Sequence, residues 1–100
     1  MTNELQNTTA IIVTYNSSKV IRRCLDQLKT VKKIIVDNGA DKILNEELLR
    51  KYNNLEIIYP KKNIGFGAAN NMGIRMAKTR YVLLLNPDII FDENLINNSW

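Results

Sequence analysis

Histidine is absent from this 100-residue chain, cysteine occurs once, proline twice and glycine four times. Without histidine the commonest general base and metal ligand are missing, so any acid–base or metal chemistry must run on carboxylates, amides and hydroxyls. The lone Cys24 excludes an internal disulfide. Its place among Ile21, Leu25 and Leu28 marks a buried structural thiol rather than a nucleophile. No apolar run approaches the ~18 residues of a membrane span, and the opening Met-Thr-Asn-Glu-Leu-Gln lacks the basic and apolar regions of a signal peptide. A cytoplasmic protein is the expectation, with the Asn-x-Ser/Thr matches at Asn7, Asn16 and Asn97 accidental. The basic residues are scattered with no aromatic interleaving, which argues against nucleic acid as a partner.

What is present suits one small α/β domain. The chain is 45% hydrophobic and 24% charged, enough for a core and a polar surface. Its net charge of +4 suits an anionic ligand such as a nucleotide, and equally an ordinary Lys-rich surface. Thr9 to Tyr15 is β-branched and apolar and reads as a strand, with Asn16-Ser17-Ser18 as the cap of a following helix. Val20, Ile21, Cys24, Leu25 and Leu28 form the apolar face of that helix. Ile34-Ile35-Val36 is a second strand, closed by Asp37-Asn38-Gly39. Ile43, Leu48, Leu49 and Tyr52 give a second helix over 43–52, and Leu55 to Tyr59 a third strand stopped by Pro60. Residues 64–73 open a third helix running to about Lys78, and Tyr81 to Leu85 is a fourth strand. Phe91 to Ser99 reads as a further helix start, with Asp92 as its cap.

The order β-α-β-α-β-α-β with short links predicts a mainly parallel sheet with helices on both faces. The unbroken Tyr81-Val82-Leu83-Leu84-Leu85 predicts a strand covered on both sides. Four strands and three helices make half of a doubly wound domain. Residues 1–100 therefore read as a single truncated domain, the N-terminal piece of a longer protein.

Three predicted strands end in polar groups: Thr14-Tyr15-Asn16, Asp37-Asn38-Gly39 and Asn86-Pro87-Asp88. The carboxyl ends of a parallel sheet share one rim, where open α/β sheets bind their ligands, so these groups converge although distant in sequence. An ionised carboxylate only accepts hydrogen bonds and suits a base N–H or ribose hydroxyls. A second carboxylate near a diphosphate calls for a cation, and hard oxygen ligands suit Mg²⁺ or Mn²⁺. Three independent turn-stabilising Asx residues would produce the same pattern, and the residues alone leave both readings open. Gly65-Phe66-Gly67 is a poor dinucleotide fingerprint, because Asn70 stands at the third glycine position and the motif follows the third strand. Those glycines let backbone approach a ligand or a strand, Ala68, Ala69 and Gly73 suit tight helix–sheet packing, and Asn70 is assigned to the rim.

Ile-Ile-Val-Thr-Tyr-Asn-Ser (11–17), Val-Asp-Asn-Gly-Ala (36–40), Asn-Ile-Gly-Phe-Gly-Ala-Ala-Asn-Asn-Met-Gly (63–73) and Leu-Leu-Leu-Asn-Pro-Asp (83–88) resemble the four N-terminal blocks of family 2 glycosyltransferases, nearest the rhamnosyltransferase-like branch. The resemblance implies the N-terminal nucleotide-binding half of a GT-A fold. The implied reaction is inverting transfer of a sugar, rhamnose for that branch, from a UDP- or dTDP-sugar to a glycan or lipid-linked acceptor. Thr14, Tyr15 and Asn16 would line the nucleotide pocket, Asp37 would accept from the base, and Asn38 and Gly39 would shape the loop beside it. Gly65, Gly67 and Asn70 would border the donor, with Asn63 nearby and Asn86 beside the diphosphate. Asp88 would hold the divalent cation, matching the last acid of the family's Asp-x-Asp, whose first acid is Asn86 here. The family's catalytic base falls beyond residue 100, so no residue is assigned as catalytic. A non-catalytic nucleotide-binding module is the alternative, and a nicotinamide-dependent oxidoreductase half is disfavoured by the misplaced glycines. Further expectations are a homo-oligomer through the truncated face and membrane association of the full-length enzyme.

Overall fold

The central strand shows how this sequence builds its sheet. In β1 (Thr8–Thr14) all seven residues are buried, and their side chains alternate between the sheet's two faces. A computed structural model describes residues 6–87. After β1 the chain continues as α1 (Ile21–Asp26), β2 (Lys32–Asp37), α2 (Lys42–Lys51), β3 (Leu55–Ile58), α3 (Gly65–Met76) and β4 (Tyr81–Leu85). The sheet is parallel throughout, in the order β3-β2-β1-β4. From β1 the chain steps outward to β2 and β3, then returns to lay β4 on the other side of β1. The switch point of the topology therefore lies between the carboxyl ends of β1 and β4.

Helices cover both faces. Ala10 and Ile12 pack with Ile21, Cys24 and Leu25 of α1 and Leu48 of α2, whereas Ile11 and Val13 pack with Ala69 and Met72 of α3. Each fully buried Ile in this strand contributes roughly 1.5–3 kcal/mol by leaving water. Gly73 permits the approach of α3: a Cβ built there would lie 2.5 Å from Ile11 Cγ2 and 3.3 Å from Val36 Cγ2. Lys33 is 2% exposed, and its ammonium donates to the carbonyls of Leu28 and Val31, both at 2.9 Å. Those bonds occupy carbonyls beyond the end of α1, and burial lowers the pKa of Lys33 from its usual value.

Several expectations need correction. The first helix begins at Ile21 without a side-chain cap, because Ser17 instead closes a turn whose carbonyl accepts from Val20 and Ile21. Asp41, outside the predicted 43–52, caps α2 and accepts from Leu44 N–H at 3.1 Å. Ile43 is 77% exposed and Leu49 also faces outward, so the buried stripe is Asn45, Leu48 and Tyr52. The third helix ends at Met76 rather than Lys78, and Ala68 is exposed while Ala69 is buried. Along β4, Val82 and Leu84 are 38% and 49% exposed, so the apolar run is not covered on both faces among the described residues. The cause is placement: among the described residues β4 lies at the edge of the sheet, and α3 packs over β1 and β2. Cys24 is buried as expected, and burial pushes its thiol up to about 11. The predicted helix over 91–99 and Asp88 lie outside the described residues.

Candidate functional site

At the carboxyl rim the register brings the strand ends level. Thr14 pairs with Asp37 and Ile12 with Leu85, which sets Asn86-Pro87 beside the end of β1. An open cleft of about 350 Å³ lies there, lined by Val13, Tyr15, Ser17, Asn38, Asn63, Gly65, Phe66, Asn86 and Pro87. Four of the predicted residues, Tyr15, Asn38, Gly65 and Asn86, meet in it, together with Asn63. Thr14, Asn16 and Asp37 line a separate pocket of about 10 Å³ on the side of α1 and α2, with Asp41, Leu44 and Asn45. Gly39 lies between the two: a Cβ on it would lie 3.3 Å from Asp37 Oδ1 and 3.6 Å from the Tyr15 ring. Gly67 and Asn70 sit further along α3 and are not in the cleft lining.

Asp37 is 3% exposed, and its carboxylate is already engaged. Its Oδ1 accepts from Gly39 N–H at 2.9 Å, and its Oδ2 accepts from Asp41 N–H and Asn45 Nδ2 at 2.8 Å each. Such charge-assisted bonds fix the loop after β2. That loop is tight enough to hold Ala40 at φ 52, a left-handed conformation that costs a non-glycine residue free energy. Asn45, which also donates to the Tyr59 hydroxyl at 3.1 Å, is the positioning residue that the sequence reading missed. A polar residue inside the apolar stripe of α2 was the available signal.

Asn38 fastens this loop to the start of α3. Its Nδ2 donates to the Gly65 carbonyl at 3.3 Å, and its Oδ1 accepts from Ile64 N–H at 3.2 Å. Asn63 Oδ1 accepts from Gly65 N–H at 2.9 Å. Gly65 has φ +82, a left-handed conformation that explains glycine at this corner. Gly67 is different: a Cβ there would meet nothing within 4 Å and its φ is unremarkable, so neither packing nor backbone demands glycine. Asn16, at φ 56, takes the left-handed region that asparagine tolerates, and Ser17 Oγ accepts from Tyr15 N–H at 3.2 Å. Asn70 is 6% exposed, and its Oδ1 has no hydrogen-bond partner among the described residues. Buried acceptors are nearly always satisfied, which makes this one an exception with a cost of about 1–3 kcal/mol.

The cleft is thus amide-, hydroxyl- and backbone-rich. No carboxylate lines it among the described residues, and those residues contain no cluster of three or more metal-ligating side chains. Val13, Ser17, Phe66 and Pro87 complete its wall without having been assigned to the site from the sequence. A surface of this kind can hold a planar ring against Tyr15 or Phe66 and offer amides to polar groups around it. Asp88, the residue that the sequence blocks suggest for a cation, lies outside the described residues.

The comparisons with known proteins agree with this architecture. A glycosyltransferase GlyG from Streptococcus pneumoniae is 25% identical over 98 residues, which cover 90% of this chain and 33% of that protein. Poly-beta-1,6-N-acetyl-D-glucosamine synthase of Staphylococcus aureus is 31% identical over 99 residues, covering 92% and 24%. The crystal structure of S. aureus TarS residues 1–349 superposes with a TM-score of 0.78 at 25% identity, covering 93% of this chain and 31% of that one. The mannosyltransferase PcManGT from Pyrobaculum calidifontis, solved with GDP-Man and Mn²⁺, gives 0.81 at 18% identity, a likeness of fold, covering 93% and 31%. The chain therefore spans about a third or less of these relatives, with the GT-A fold over the shared part. The model of glycosyl transferase family 2 matches residues 9–98, and this chain belongs to that family.

Proposed function

We propose that the chain supplies the donor-nucleotide half of an inverting glycosyltransferase that passes a sugar from a nucleoside diphosphate to a glycan or lipid-linked hydroxyl. The observation that carries this reading is the convergence of Tyr15, Asn38, Asn63, Gly65 and Asn86 at the β1/β4 switch point. In the proposed complex Tyr15 and the loop 37–40 hold the base, with Asp37 fixing the loop and offering its remaining lone pair to a base N–H. The start of α3 faces the diphosphate, where the first-turn N–H groups after Gly65 and the helix dipole favour negative charge. Gly67 leaves backbone close to the sugar, and Asn70 turns its unmet carbonyl to a donor hydroxyl. A divalent cation, when bound at Asp88, would offset charge on the departing diphosphate. UDP or dTDP as the carrier, and rhamnose as the sugar, follow from the branch that the four sequence blocks resemble.

Calorimetric titration with UDP, dTDP and GDP, with and without Mn²⁺, tests the assignment. Nucleotide binding strengthened by Mn²⁺, with that increment lost in Asp88→Ala, is the expected result. Tight NAD binding with no response to any of the three nucleotides would overturn it. A second reading, a non-catalytic nucleotide-binding module, draws on the amide- and hydroxyl-rich lining of the cleft. Metal-independent binding, unchanged in Asp88→Ala, would favour it.

A further inference from the structure

The end of the sheet opposite the cleft gathers positive charge. Lys32 and Lys33 open β2, Arg80 immediately precedes β4, Lys78 lies in the link before it, Lys29 follows α1, and Lys51 closes α2. Two shallow hollows mark this end. One, of about 370 Å³, is lined by residues that include Lys32, Lys33, Glu56, Met76 and Lys78; the other, of about 480 Å³, includes Asp26, Lys29, Lys33 and Lys51. They share Lys33, so they belong to one face.

Among the described residues six cations thus oppose two carboxylates there, and Asp26 is already engaged by the Tyr52 hydroxyl at 2.7 Å. Lys29, Lys32, Lys51, Lys78 and Arg80 are exposed, whereas buried Lys33 contributes field rather than contact. Helix dipoles favour cations in last turns, which explains Lys51 but not Lys29, Lys32, Lys78 and Arg80, all outside helices. Apolar groups are mixed with the charges. Arg80 lies 5.6 Å from the centre of the Tyr81 ring, and Tyr81 and Met76 are 40% and 48% exposed. Cations with long stems beside a tyrosine and an unbranched thioether make a surface suited to lipid headgroups. A nucleic-acid site would need a stacking platform or groove, and Tyr52, the other ring at this end, is buried.

We propose that this amino-end face docks on an anionic bilayer surface, with lipid phosphates held by Lys29, Lys32, Lys78 and Arg80. Because the donor cleft lies at the opposite end of the strands, it stays open to solvent roughly 20 Å above the lipid, given about 3.3 Å per strand residue. The inference is independent of what fills the cleft.

Co-sedimentation with vesicles of phosphatidylcholine alone or mixed with phosphatidylglycerol tests it. The chain should partition to the mixed vesicles, with weakening at high salt. Each surface cation lost is worth roughly fivefold, so Lys78→Gln with Arg80→Gln should lower partitioning by about 25-fold. Lys61→Gln with Lys62→Gln, an equal charge change in the link before α3, should leave it within about twofold if the amino-end face makes the contact. Circular dichroism checks that both variants fold. Three results would each overturn the proposal: no dependence on phosphatidylglycerol, an equal loss in the Lys61/Lys62 variant, or stronger retention of a DNA duplex than of the vesicles.

Discussion

Replacing Asp37 by Asn changes one atom of the most tightly bound carboxylate in the described structure. Three donors converge on it: Gly39 N–H on Oδ1, and Asp41 N–H and Asn45 Nδ2 on Oδ2. In Asp37→Asn the Gly39 bond survives on the amide oxygen, without the strengthening from charge. Asn45 can rotate its own amide and accept from the new NH₂, keeping the Tyr59 hydroxyl as a donor to its oxygen. The Asp41 N–H has no such remedy, because backbone cannot flip and it would face another donor. One orphaned buried donor costs about 1–3 kcal/mol. For a domain of this size each kcal/mol moves Tm by about 4–8 °C, so the expected fall is roughly 8–16 °C for a mid-range loss of about 2 kcal/mol. Asp37→Ala, which strips all three donors, should cost more and abolish cooperative melting near room temperature. Thermal melts followed by circular dichroism read both. A Tm within about 3 °C of the parent for Asp37→Asn would refute the claim that this carboxylate holds the loop. Titration of Asp37→Asn with UDP, well below its Tm, then separates the roles: reduced affinity in a folded variant supports a base contact, and unchanged affinity leaves Asp37 with the loop alone.

Two glycines of α3 should respond to alanine with opposite signs. Gly67→Ala should stabilise by about 0.5–1 kcal/mol by removing backbone freedom, and Gly73→Ala, driven against Ile11, should cost about 1–3 kcal/mol; urea denaturation measures both, and equal signs would sink the packing argument. Asn70→Leu removes an unpartnered buried carbonyl and should raise stability by about 1 kcal/mol while weakening nucleotide-sugar binding in calorimetry; a loss of stability would show that the amide is structurally required. At high pH, Cys24 and Tyr52 set the trend. Burial lifts Cys24 from 9.0 to about 11, and burial with the Asp26 hydrogen bond lifts Tyr52 from 10.0 to about 12. Both folded values exceed the unfolded ones, so their stabilisation is whole below pH 9 and is lost as pH rises through 11 and 12. Lys33, lowered from 10.5, works the other way in the window below that value. Denaturation midpoints should therefore fall between pH 9 and 12, and less steeply in Tyr52→Phe; a parent with no decline would contradict the buried phenol.

The sequence by itself determined the parallel α/β order and the rim. Apolar runs that stop at Asn16, Asp37 and Asn86 are local facts, and the one-way geometry of β-α-β crossovers then forces their ends together. Sequence could not say which side of the rim each group would face. Strand side chains alternate, so Thr14 and Asp37 fall towards α1 and α2, while Tyr15, Asn38 and Asn86 open to the cleft. That division depends on where the helices pack, and it set the Asp37 carboxylate among the donors of Gly39, Asp41 and Asn45. Packing also separated Gly65, Gly67 and Gly73, identical as letters, into a left-handed corner, a position with open space, and a contact with Ile11. The edge position of β4 left Val82 and Leu84 exposed in a run that reads as fully buried. Periodicity records how a segment prefers to fold. Which of its faces finds a neighbour is decided only when distant segments meet.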